Sequence, residues 1–200
     1  MGLISNGTTI FDLGATSAGI GSGMKFMKKL TASGSATLSF VHGSGGVDFS
    51  SYKEYMFTFN NIHPASDQDF EFQGSTDGGS SYGVTMTTTF FQAYHNEADS
   101  ATALAYSAGN DIAQGTGFQR LMKITTDNDF SCGGILNLFN PSSTTFVKHF
   151  TSNCNGNNAS YSQNEFSNGY FNTTSAIDAF QFKMASGNID AGDICLYGIA

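Results

Sequence analysis

Aromatic and polar residues alternate at positions 52–60, and this pattern predicts a central β-strand. Because side chains alternate between the two faces of a strand, Tyr55, Phe57 and Phe59 are expected to share one face. An aromatic face of this size must be buried, and one strand cannot bury it alone. The sequence therefore predicts further strands that pack against this one.

Similar extended runs recur along the chain, separated by turn signals such as Asp77-Gly78 and Asn140-Pro141. Residues 98–116 are interpreted as a loop with a short strand at 104–107, and the Asn-rich residues 153–169 as a polar loop. We expect the last strand to pair on both sides, because both of its faces are largely apolar. The other predicted strands cover residues 25–30, 36–41, 67–73, 83–93, 117–126, 132–139, 144–152, 177–184 and 194–199.

This spacing of short strands predicts an all-β fold, an antiparallel β-sandwich that is jelly-roll-like. Residues 24–200 are expected to form a single sandwich domain. Residues 1–23 are rich in Gly, Ser and Thr with scattered apolar residues, a pattern that favours an extended N-terminal arm. The alternative is an ordered first strand on the same sheet. The expected assembly contacts of the arm are Leu3, Ile4, Ile10, Phe11 and Leu13.

The amino-acid composition argues against two classes of binding partner, nucleic acids and anionic membranes. The chain has 19 Phe, 8 Tyr and no Trp, and a formal net charge of −8. An acidic chain lacks the basic footprint of a nucleic-acid-binding protein, and anionic membrane surfaces are disfavoured for the same reason. No segment approaches the roughly 20 apolar residues that span a bilayer. Residues 1–23 do not resemble a signal peptide, so we expect synthesis in a cytoplasm.

Few residues in the sequence suggest catalysis, metal binding or cofactor binding. Cys132, Cys154 and Cys195 lack CxxC spacing and are expected to be buried free thiols. The four histidines have no metal-binding spacing, and no nucleophile elbow, P-loop or dinucleotide fingerprint occurs. Asp67, Asp69 and Glu71 alternate along a predicted strand, which lacks the curvature of a calcium-binding loop. We therefore expect no enzymatic activity, no metal and no cofactor.

Four segments together resemble a β-sandwich family of structural proteins in tailed bacteriophages, especially aquatic phages. They are YKEYMFTFNNI at 52–62, FQGSTDGGS at 72–80, LFNPSSTT at 138–145 and ASGNIDAGDICLYGI at 185–199. Members of this family occur in tail fibres, tail-associated proteins and head-surface proteins. The resemblance spans residues 35–199 and implies a virion component without a catalytic residue.

The expected function is therefore a non-enzymatic virion protein, a capsid decoration or tail component assembled in the host cytoplasm. Its expected partners are other virion proteins and copies of itself. The alternative is a carbohydrate-binding module of a tail fibre that contacts host surface glycans. A sugar site combines an aromatic platform with polar groups, and Tyr94, Tyr106, Tyr161 and Tyr170 are the available loop aromatics.

Overall fold

A computed structural model describes residues 3–5, 8–12, 15–16 and 23–200, with side chains described for residues 23–200. The described part contains fifteen strands and no helix. The strands are β1 Leu3–Ser5, β2 Thr8–Asp12, β3 Ala15–Thr16, β4 Met24–Ser35, β5 Leu38–Val41, β6 Glu54–Pro64, β7 Gln68–Ser75, β8 Met86–Asn96, β9 Thr102–Tyr106, β10 Gln119–Ile124, β11 Cys132–Phe139, β12 Lys148–Asn158, β13 Tyr161–Phe171, β14 Ala179–Met184 and β15 Ile189–Ile199.

Strands β4 to β15 form an antiparallel β-sandwich, as predicted. One sheet has eight strands in the order β4-β15-β6-β11-β12-β13-β8-β9, and the other has four in the order β10-β7-β14-β5. Every pair of neighbouring strands is antiparallel. The aromatic strand predicted at 52–60 is β6, which lies inside the larger sheet.

Strands β1, β2 and β3 pair with one another in a separate antiparallel sheet. The side chains of residues 1–22 lie outside the described part of the chain. The predicted contacts of Leu3, Ile4, Ile10, Phe11 and Leu13 therefore stay predictions, as does the role of residues 1–23 as an arm.

The core between the two sheets is built from aromatic rings. On β6, the side chains of Tyr55, Phe57 and Phe59 point inward and are buried, which confirms the predicted alternation. From the smaller sheet, Phe182 on β14 meets Phe57 at 5.1 Å and Phe59 at 5.4 Å between ring centroids, both edge to face. Phe182 also contacts the rings of Phe40, Phe70 and Phe72.

The C-terminal strand β15 pairs with β4 on one side and β6 on the other, as predicted. Ile194 and Leu196 face the core and are fully buried. Cys195 lies between them on the opposite face and is also buried. The middle of this strand is therefore buried on both faces, whereas Ala191 is exposed and Tyr197 and Ile199 are half-buried.

The predicted polar loop at 153–169 is wrong, because these residues form most of the hairpin β12–β13. Along β12 every second residue is buried, and these inward residues include Ser152, Cys154 and Gly156. On β13 the inward residues include Gln163 and Glu165. Since the inward positions are polar or small, the hydrophobic alternation that marks a half-buried strand is missing from the sequence.

We expect Phe182→Ala to lower the free energy of unfolding by about 3–5 kcal/mol, the usual loss when a buried Phe is truncated. The control is Phe146→Ala, because the Phe146 side chain is 69% exposed and its loss should change stability by less than about 0.5 kcal/mol. Urea unfolding followed by circular dichroism measures both. Equal losses in the two variants would contradict the proposed core.

Candidate functional site

Where it reaches β13 and β8, the inward face of the larger sheet combines apolar side chains such as Phe90 with buried polar ones. Cross-strand pairing places Glu165 beside Gln92 and Gln163 beside Tyr94. Glu165 is fully buried, and Gln163 is nearly so. Because buried polar groups are costly unless they find partners, the contacts of these side chains determine whether the region is stable.

Arg120 of β10 supplies the main partner. Its Nε donates to Glu165 Oε2 at 3.0 Å, and its Nη2 donates to Glu165 Oε1. Burial raises the pKa of the Glu165 carboxyl, and the neighbouring Arg120 guanidinium opposes that shift. Asp69 also lies 3.5 Å from Arg120 Nη1. The guanidinium thus compensates two carboxylates at the edge of the core.

Amide side chains extend this network on the Glu165 side. Gln163 Nε2 donates to Glu165 Oε1 at 2.5 Å and to Gln92 Oε1 at 3.1 Å. Asn158 Nδ2 in turn donates to Gln163 Oε1 at 2.8 Å. The hydrogen bonds fix the orientation of each amide, so the network presents a defined set of polar groups at its outer end.

That outer end is a small cavity of about 210 Å³ lined by Gln92, Tyr94, Asn158, Tyr161 and Gln163. The rings of Tyr94 and Tyr161 pack edge to face, with centroids 5.4 Å apart and planes at 89°. Two aromatic walls and three amide side chains therefore converge at one place. Such a site can bind a small neutral polar ligand through stacking and hydrogen bonds.

The other two predicted tyrosines lie elsewhere, on the outward face of the same sheet. Tyr106 pairs with Phe91, and its hydroxyl donates to Asp111 Oδ2 at 2.5 Å. Tyr170 pairs with His149, and their rings are 5.8 Å apart. All four tyrosines lie on strands and not on loops, so the structure corrects their placement and brings together only Tyr94 and Tyr161.

Each of the three carboxylates that alternate along the predicted strand at 67–73 has a partner. Asp67, just before the strand, accepts hydrogen bonds from the backbone and hydroxyl of Thr126 at 2.7 and 2.8 Å. Glu71 lies 3.6 Å from Lys183 Nζ. Asp69 lies 3.5 Å from Arg120 Nη1. These interactions give each carboxylate a structural role.

Lys148 is a buried cation that sequence reasoning missed. Its side chain is fully buried on β12, and Nζ donates to the carbonyl of Thr173 at 3.0 Å. No carboxylate lies within ion-pairing distance of it in residues 23–200. Burial lowers the pKa of the Lys148 ammonium.

The three cysteines are free and buried, as predicted. Burial raises the pKa of the Cys154 thiol to about 12 and that of Cys132 well above its usual value. Thiols of this kind stay protonated near neutral pH and are poor nucleophiles. Within the described residues, His, Cys, Asp and Glu form no group of three able to hold a metal ion.

The histidines are similarly dispersed. His42 accepts a hydrogen bond from the Phe49 amide at 3.1 Å, and His63 contacts the Phe130 carbonyl at 2.6 Å. His95 contacts Asp99 at 2.9 Å on an exposed turn.

In the part of the chain that the structure covers, no helix is long and apolar enough to cross a membrane.

Comparisons of the chain with protein-family models, curated proteins and solved structures returned no match. The resemblance to the phage sandwich proteins therefore depends on the residues quoted above.

We expect Glu165→Ala to lower the free energy of unfolding by about 3–5 kcal/mol, because it leaves the Arg120 guanidinium without its main partner inside the protein. The double variant Arg120→Met, Glu165→Leu removes both charges and should be closer to the wild type than the single variant. Urea unfolding tests both variants. A loss of under about 1 kcal/mol in Glu165→Ala would indicate a solvated pair and contradict the buried network.

Proposed function

We propose that this chain is a non-enzymatic structural protein of a tailed-phage virion, a capsid decoration or tail component that docks on a symmetric assembly. The observation that carries the proposal is the resemblance over residues 35–199, together with the position of its segments in the fold. Two of the four segments contain most of β6 and all of β15, which are neighbours in the larger sheet, and a third begins at the end of the adjoining strand β11. The resemblance thus covers adjacent parts of one sheet.

The remaining segment, at 72–80, forms the end of β7 and the turn after it. Asp77 organises this turn by accepting hydrogen bonds from the Ser75 hydroxyl at 2.6 Å and the Ser81 amide at 2.9 Å. These hydrogen bonds lower the pKa of the Asp77 carboxyl to about 2. The residues that carry the resemblance are therefore those that build strands and turns. Such residues are consistent with a structural role that involves no catalysis.

The test is to locate the chain in virus particles. Antibodies raised against the purified protein should label particles purified from the source of the sequence, and cryo-electron microscopy should place the sandwich on the head or the tail. Copy number separates the two, because a decorated shell carries many more copies than a tail tip. Particles that contain no such chain by mass spectrometry would overturn the proposal.

A second candidate function is the binding of host surface glycans, and the cavity between Tyr94 and Tyr161 favours it. Neutral sugars stack on aromatic rings through their apolar faces and hydrogen-bond through their hydroxyls. The cavity offers both kinds of group, with the amides held by the Glu165 network. Its volume of about 210 Å³ suits one sugar ring rather than a long chain.

A glycan array probed with the labelled protein tests this candidate, followed by titration calorimetry with any glycan that binds. Tyr94→Ala and Tyr161→Ala should each weaken binding about tenfold, since an aromatic contact contributes about 0.5–1.5 kcal/mol. Tyr106→Ala and Tyr170→Ala are matched controls on the opposite face and should bind normally. No bound glycan, or equal losses in all four variants, would exclude the cavity as a sugar site.

A further inference from the structure

The two edge strands of the larger sheet carry most of the large hydrophobic side chains that are exposed in residues 23–200. In the described part of the chain, β4 and β9 each have a neighbour on one side only. Six large hydrophobic side chains are exposed in residues 23–200, and four of them lie on these two strands: Met24, Phe26, Leu104 and Tyr106. An unpaired edge with apolar side chains is a template for pairing with another chain.

The apolar side chains of both edges lie on the same face of the sheet. Met24 and Phe26 are two residues apart on β4, and Leu104 and Tyr106 are two residues apart on β9. Cross-strand pairs link Phe26 with Tyr197 at one edge and Leu104 with Ala93 at the other, on the outward face in both cases. If β4 and β9 of two copies paired, these side chains would be cross-strand neighbours.

Charged residues of opposite sign lie on one edge strand and beside the other. Three of the eight basic residues, Lys25, Lys28 and Lys29, lie on β4, and among them only Lys29 has an ion-pair partner in residues 23–200, Asp193 at 3.2 Å.

Acidic residues flank the opposite edge strand. Glu97 and Asp99 lie in the turn before β9, and Asp111 follows it, bonded to the Tyr106 hydroxyl. Lysines on an edge strand can by themselves deter pairing with another chain. Here, however, the acidic residues beside β9 make that edge complementary in charge to the lysines of β4.

The strand directions permit this match. The sheet has an even number of strands, all antiparallel to their neighbours, so its first and last strands run in opposite directions. A second copy placed beside the first in the same orientation therefore sets β4 antiparallel to β9. Pairing like with like, β4 on β4 or β9 on β9, would instead juxtapose charges of one sign.

We propose that copies of this chain associate head to tail, with β4 of one copy adding to β9 of the next as an antiparallel continuation of the eight-stranded sheet. Such a heterologous contact closes into a ring or continues as a filament, depending on the rotation between copies. The inference deepens the proposed function by naming how copies meet. Its test uses the purified full chain, so its failure would leave the virion proposal to the particle labelling.

Charge reversal provides the first test. Lys25→Glu with Lys28→Glu makes both edges acidic, and Glu97→Lys with Asp111→Lys makes both edges basic. By sedimentation velocity at low ionic strength, wild type should form oligomers that weaken with salt, because salt screens exposed charges. Each double variant alone should sediment as a monomer. An equimolar mixture of the two should assemble again, since it restores complementary edges.

Lys53→Glu with Lys123→Glu is the matched control, because these exposed lysines lie away from both edges. It should assemble as wild type does, and circular dichroism checks the fold of every variant. A monomeric wild-type protein at its highest soluble concentration would overturn the proposal. So would a mixture that stays monomeric, or a control that loses assembly equally.

Cross-linking tests the orientation of the contact. With a flexible bis-maleimide linker, the double variant Phe26→Cys, Leu104→Cys should give a ladder of covalent oligomers, while each single variant gives only monomer. The native cysteines are buried, so the unmodified chain serves as the blank. A covalent dimer from either single variant would indicate a like-with-like contact and contradict the head-to-tail arrangement. A double variant that does not cross-link would also contradict it.

Discussion

The contact of Phe182 with the aromatic face of β6 is the interaction on which the sandwich depends. One ring from the smaller sheet touches five others, drawn from both sheets: three are edge to face with it and two are stacked on it, at centroid distances of 5.1 to 6.3 Å. Each aromatic pair contributes about 0.5–1.5 kcal/mol beyond the area it buries. The sheets are therefore held in one relative position by interlocking rings.

The larger sheet has eight strands and the smaller one four. Part of the interior is therefore lined by buried polar side chains as well as aromatic rings. Beside the aromatic core, the inward faces of β13 and β8 include polar side chains, and Glu165 among them meets Arg120 from the edge strand β10. A buried carboxylate there requires a cation and several donors, so Glu165, Gln163 and Gln92 are fixed by one another. The cavity beside Tyr94 and Tyr161 is the outer boundary of that polar interior.

The proposed roles use different surfaces of the same sheet. The cavity lies on the inward face, whereas the exposed apolar and charged residues lie along its two edges. Contacts between copies at the edges would thus leave the cavity of each copy accessible. Because the sheet has an even number of antiparallel strands, its two edge strands run in opposite directions, and copies can pair edge to edge while the inward face stays uninvolved.

The sequence by itself determined the sandwich, the inward face of β6 and the interior position of β15, because those strands carry apolar residues at period two or on both faces. It predicted only the first part of β12, within residues 144–152, and missed the rest of that strand and β13, since Cys154, Gly156, Gln163 and Glu165 face inward without a hydrophobic signal. Only the tertiary structure brought Tyr94 to Tyr161, 67 residues apart in sequence. The physical reason is that burial of polar groups depends on partners such as Arg120, which come from distant strands and leave no periodic pattern.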